Sequence, residues 1–161
     1  EILSGLVGSE MCIRDSNTGF DEGLGDSSLT KLDAQTANWS AEEGKSVFET
    51  MLKSSNNDIQ LVFAQNDEMG LGAAQAAEEA GLVVGEDVKI ATIDGTKNAM
   101  QALADGQLSY VHEYNPLFGE TALEVVEKAL AGEEVESYIV VPSEAFDSAE
   151  AAQAVLADRK Y

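Results

Sequence analysis

Four side chains stand where short apolar runs break off: Trp39, Asn66, Asp94 and Glu113. One aromatic ring, one amide and two carboxylates form a set suited to a polyhydroxylated ligand. A carboxylate or amide can engage two neighbouring hydroxyls, and charge-assisted hydrogen bonds are the stronger ones. An aromatic face covers the apolar C–H face of a sugar ring. Neither interaction needs a catalytic base. Each residue also has a plainer reading: Trp39 as packing, Asp94 before Gly95 as a turn, Glu113 before Tyr114-Asn115-Pro116 as surface. In the triplet Asn66-Asp67-Glu68, Asp67 sits where a helix N-cap belongs. Asn66 precedes that cap, is not needed for it, and is left for a ligand. His112 reads as an ordinary strand residue, and Met69 and Met100 as core.

No catalytic residue is expected. The chain has no G-x-S-x-G, no H-E-x-x-H and no P-loop, the patterns that would place a nucleophile, a zinc base or a phosphate cradle. Gly70-Leu71-Gly72 lies too far inside a helical run for a dinucleotide fingerprint. No cofactor and no metal is expected. Cys12 and His112 are single in their kinds, so neither a thiolate cluster nor a histidine-rich zinc site can form. One weaker metal reading remains: Asp67 with Asp94 holding Mg²⁺, and Lys97 nearby, as in a phosphoacceptor site.

The elements that must position these residues alternate regularly. GFDEGL is the remnant of a helix, and Leu29 to Ala37 reads as a strand. Ser40 and Glu43 make a capping box. Val47, Phe48, Met51 and Leu52 then follow at helical spacing over Ala41 to Lys53. Strands are predicted at Ile59 to Ala64, Val88 to Ile93, Leu108 to Glu113 and Tyr138 to Val141. Helices are predicted at Glu68 to Ala80 and Lys97 to Asp105, then after an Asn115-Pro116 start, and finally behind Ser148. Continuous apolar runs such as IQLVFA suit strands covered on both faces. The order β-α-β-α-β-α-β implies an α/β fold with a parallel sheet and helices on both faces. Ligands of such sheets sit beyond the carboxyl ends of the strands, where the four residues fall. The apolar stripe Phe118, Ala122, Val125, Val126, Ala129 and Leu130 comes after the sheet units are complete and needs a partner.

The 161 residues carry 30 acids and 9 Lys plus Arg, for a net charge of −21. Such a field repels phosphates, so nucleic acid and anionic membrane are not expected partners. No apolar run approaches membrane-spanning length, so direct insertion is not expected either. The leader EILSGLVGSEMCIRDS lacks the basic start of a signal peptide. It resembles translated sequencing-adapter read-through, so residues 1–16 are expected to be non-native and are set aside from fold reasoning.

FAQNDEMGLGAAQAAEEAGL, VKIATIDGTKNAMQALADGQL and the strand ending in HEYNPLFGE together resemble the periplasmic sugar-binding proteins of bacterial ABC transporters, of the ribose- and galactofuranose-binding type. The resemblance runs from about Asn17 to Tyr161. It implies one lobe of a two-lobed protein that closes on a sugar by hinge motion and delivers it to a membrane permease, in the periplasm or anchored outside the cell. It implies a C-terminal ligand-binding lobe at 17–113, a crossing and helix at 114–136 that packs on the first lobe, and a return strand and tail at 137–161. The family's amide falls on Asn66, its carboxylate on Asp94, its hinge-side polar group on Glu113 and its stacking aromatic on Trp39. Its arginine ahead of G-F falls at about Ser16, at the edge of the leader, and that contact is left unassigned. The alternative is the effector-binding domain of a lac-repressor-like regulator, which shares the N-D-E-M signal; I-D-G-T-K and the acidic charge fit the transport branch better.

Overall fold

A computed structural model describes the backbone of residues 2–7 and 11–161, with side chains from Arg14 onward. In chain order its elements are β1 (Ile2–Val7), α1 (Met11–Leu24), β2 (Lys31–Leu32), β3 (Gln35–Thr36), α2 (Ala41–Ser54), β4 (Leu61–Ala64), α3 (Asp67–Glu79), β5 (Lys89–Asp94), α4 (Lys97–Ala104), β6 (Tyr110–Glu113), α5 (Gly119–Leu130), β7 (Ala145–Phe146) and α6 (Ala149–Leu156). The sheet runs β2-β1-β4-β5-β6-β7, with β3 also beside β1. All pairings are parallel except β6 with β7.

Strand order reverses at β1. The chain moves one way to β2 and the other way through β4, β5 and β6. Right-handed crossovers therefore put α1 on one face and α2, α3 and α4 on the other. Side chains agree. Val62 and Ala64 are fully buried in the core with Met69 of α3, whereas Phe63, pointing the opposite way, stacks on Phe20 of α1 at 4.8 Å. The core gathers Phe48, Val62, Met69, Ile90, Met100 and Val111. Helices α2 and α3 approach closely because small residues face each other. A Cβ on Gly72 would stand 2.1 Å from the Ala41 carbonyl oxygen.

Three local expectations are corrected. Leu29 to Ala37 is not one strand but two short pieces, β2 and β3, each paired with β1; Asp33 and Ala34 between them are poor strand formers. Tyr138 to Val141 forms no strand. The edge of β6 is taken instead by Ala145–Phe146, running antiparallel. Asn115 does not cap a helix: its Oδ1 accepts the Leu117 N–H at 2.8 Å in a local turn, and α5 starts later, behind Phe118, without a side-chain cap. Residues 1–16, set aside above, hold β1 and the first turns of α1, and β1 lies beside β4 at the reversal point of the sheet.

Candidate functional site

The carboxyl ends of β4 and β5 and the loop before α2 meet at one end of the sheet. Trp39 and Asn38 both have left-handed backbone, φ 61° and 46°, so the chain between β3 and α2 turns sharply. Asn38 is suited to that region, and its amide donates to Glu43 at 2.7 Å. Trp39 is left 38% exposed at the turn.

The N-cap role expected of Asp67 is taken by its neighbour. Asn66 is the N-cap. Its backbone is extended and its Oδ1 accepts the Met69 N–H at 2.9 Å, while its Nδ2 donates to the Trp39 carbonyl at 3.3 Å. An N-cap needs extended backbone so that the side chain can turn back to the third N–H of the helix. Asp67 is already helical and reaches across to the β5–α4 loop. Its fully buried carboxylate accepts the Thr92 hydroxyl at 2.7 Å, the Thr96 N–H at 2.7 Å and the Thr96 hydroxyl at 2.8 Å. Burial pushes its pKa up, opposed by these bonds. Since the three donors already engage both oxygens, Asp67 fits poorly as half of a Mg²⁺ site. Among the described residues no cluster of three His, Cys, Asp or Glu is placed to hold a metal.

Asp94 closes β5 with φ 128°, a region that residues with a Cβ seldom enter. Its pKa is pushed up to about 6, first by burial and then by the negative charges of Asp67 and Glu68, with the Asp67 backbone N–H pulling the other way. Glu113, beside Asp94 in the β5–β6 register, is treated differently. It is 7% exposed and accepts from both Arg159 and the Tyr161 hydroxyl. Burial pushes its pKa up, but Tyr161 and Arg159 outweigh burial and hold it below the ordinary carboxylate range.

A hollow of about 450 Å³ opens here, lined by Asp15, Ser16, Trp39, Gln65, Ile93, Asp94 and Tyr114. Of the four residues singled out from the sequence, the structure brings Trp39 and Asp94 together in it. Asn66 is not among its lining residues, and its amide caps α3 and donates to the Trp39 carbonyl. Glu113 lines an adjoining hollow of about 350 Å³ with Phe118 and Tyr138; Tyr114 belongs to both. Sequence reasoning missed Gln65 and Tyr114, although each adjoins a chosen residue at a strand end. It also missed Asp15 and passed over Ser16 as a site residue, because both lie in the leader. Gln65 is buried and donates to Asn17 at 2.9 Å, while its Oε1, itself buried, has no partner among the described residues. His112 is an exposed strand residue 3.4 Å from the Tyr110 hydroxyl.

Comparison with known proteins agrees with this fold. A periplasmic binding protein domain matches residues 11–134. The fructose import binding protein of Bifidobacterium longum is 48% identical over 96% of this chain and 46% of its own length. The galactofuranose-binding protein of Escherichia coli is 35% identical over 78% of this chain and 40% of its own. A Mycobacterium smegmatis protein solved with β-D-fucofuranose superposes with a TM-score of 0.88 at 43% identity, covering 97% of this chain and 52% of that one. The chain thus spans about half the length of the curated relatives it matches. With its mostly parallel sheet, its hollow at the strand ends and these relatives, the chain belongs to the periplasmic binding protein domain family.

Proposed function

We propose that this chain is the C-terminal lobe of the sugar-binding component of an ABC import system. It takes a neutral pentose or hexose between two lobes and delivers it, without catalysis, to a membrane permease from the periplasm or the outer face of the cell. The observation that carries this reading is the hollow itself. Two aromatic rings, Trp39 and Tyr114, stand beside a carboxylate, Asp94, and the side chain of Gln65. Rings to cover an apolar sugar face and acceptors for its hydroxyls are what such a ligand requires. Among the described residues the lining carries no Lys or Arg, which disfavours anionic ligands. Wrong epimers would leave a buried polar group unpaired at a cost of about 1–3 kcal/mol each.

The boundaries follow from the same reading. The lobe at 17–113 ends at Glu113, the crossing and helix at 114–136 pack on the first lobe, and 137–161 returns. Support comes from α5, which has no buried residue. Leu123, Val126 and Leu130 are all exposed, Leu130 at 83%, leaving an apolar face for a covering partner. Titration calorimetry of the lobe joined to a first lobe, with D-fructose, D-ribose and D-galactose, tests the reading. One of these should bind, and Trp39→Ala should weaken it about tenfold or more by removing the stacking face. Binding of none, with a folded protein, refutes it.

A further inference from the structure

Beyond α6 the chain turns back across the end of β6. Nη1 of Arg159 donates to the Glu113 carboxylate and to the Tyr161 hydroxyl, and that hydroxyl donates to the same carboxylate oxygen. The guanidinium carbon lies 5.2 Å from the Phe146 ring centre and 4.9 Å from that of Tyr161. Both charged side chains of the pair are only 8% exposed. Nη2 rests 3.2 Å from the point where a Cβ would stand on Gly95. Gly95, at φ 78°, thus gives the guanidinium room directly behind Asp94. The Lys97 N–H donates to the Tyr161 carbonyl at 2.6 Å. Arg159 and Tyr161 therefore reach all three parts of one junction: the end of β6, the turn after β5 and the start of α4.

Nη1 carries the hydrogen bonds of this guanidinium; among the described residues Nε and Nη2 are buried without a protein partner. A cation buried at this cost holds one carboxylate, in the wall of the adjoining hollow, and covers one turn, directly behind Asp94. We propose that Arg159 is a positioning residue of the ligand site, fixing the Glu113 carboxylate and the Asp94-Gly95 turn so that, of the two neighbouring strand-end acids, Asp94 is the one left free to meet the ligand. Two acids on neighbouring strands would otherwise compete for the same donors and repel. With Arg159 committed to Glu113, they divide into one saturated acid and one available acid. The inference rests on the sugar-binding reading above.

The test is a double-mutant cycle in the two-lobed protein, read by calorimetry with D-fructose, D-ribose and D-galactose. Arg159→Ala should weaken the bound sugar about tenfold, Arg159→Lys should restore part of it, and Arg159→Ala placed on Glu113→Gln should add little. Tyr161→Phe, which removes one hydroxyl from a packed ring, should weaken binding several-fold and keeps the proposal testable if Arg159→Ala does not fold. The carboxyl ¹³C resonance of Glu113, followed without sugar, should move to higher pKa in both variants. Wild-type affinity in Arg159→Ala and Tyr161→Phe, or an Arg159→Ala loss equally large on the Glu113→Gln background, overturns the assignment and leaves the sugar reading standing. A wild type that binds none of the sugars sinks the sugar reading, and this inference with it.

Discussion

Replacing Asp94 by asparagine should stabilise the folded chain near neutral pH and do little in acid. Asparagine keeps the shape of the side chain and tolerates positive φ better than most residues, so the strained turn at φ 128° survives the change. What it removes is the charge. In the fold the Asp94 carboxyl is raised from 3.8 to about 6, through burial and the nearby Asp67 charge. A carboxyl raised in this way holds its proton more tightly folded than unfolded. Its contribution is therefore fully present below the unfolded value and lost as pH climbs from about 4 through about 6. At about 1.4 kcal/mol per unit, the loss above that window is about 3 kcal/mol at most, since solvent at the mouth of the hollow screens part of the repulsion. The uncharged amide escapes that loss. For a chain of this size about 1 kcal/mol moves Tm by roughly 2–4 °C, so Asp94→Asn should melt several degrees above wild type near pH 7.5. The gain should shrink to about a degree near pH 4. Scanning calorimetry at the two pH values and equal ionic strength measures it. A gain of the same size at both, or a loss near neutrality, refutes the electrostatic reasoning. In the two-lobed protein the same variant should bind sugar more weakly, because the ionised acceptor is gone.

Three further expectations concern other parts of the molecule. Gly72→Ala places a Cβ 2.1 Å from the Ala41 carbonyl oxygen, against backbone that cannot rotate away; it should destabilise by about 3 kcal/mol, read as a lower urea midpoint. Leu123→Glu with Val126→Glu breaks the exposed face of α5 and should lower both apolar-dye binding and self-association of the isolated lobe in light scattering. Residues 1–16, proposed to be non-native, should yield no matching peptides in mass spectrometry of the protein made by its source; such peptides would restore them as native.

The sheet and most helices were legible because both faces of β4 and β5 are covered, so IQLVFA and VKIATI read as continuous apolar runs. Capping chemistry located Ser40 and Ser148 for the same kind of reason: each side-chain oxygen accepts an N–H three residues on. What stayed hidden depends on contacts between distant segments. Nothing local says that Phe146, rather than Tyr138, should lie against Val111 on the edge of β6. Nothing local separates an asparagine that caps from an aspartate that does, so the cap was assigned to Asp67 when Asn66 makes it. The partners of Asp67 come from Thr92 and Thr96, and those of Glu113 from Arg159 and Tyr161. Proximity of that kind is a property of the fold.

The acids at this end of the sheet show where a ligand would act. Asp67 has three donors and Glu113 has a cation and a hydroxyl, whereas Asp94 has strained backbone, a raised pKa and an open hollow in front of it. Strain and an under-satisfied charge in one residue cost stability, and such costs concentrate at sites of function. A sugar placing hydroxyls on Asp94 would supply the missing donors. Donation favours the ionised form, so binding should lower the Asp94 pKa and expel a proton. Near pH 6, where the free carboxyl is about half protonated, binding should release roughly half a proton per sugar. Calorimetry in buffers of differing ionisation enthalpy reads this as a buffer-dependent heat. A heat independent of buffer at that pH would mean that the sugar leaves Asp94 unbonded, and that the fold keeps this carboxylate free for something else.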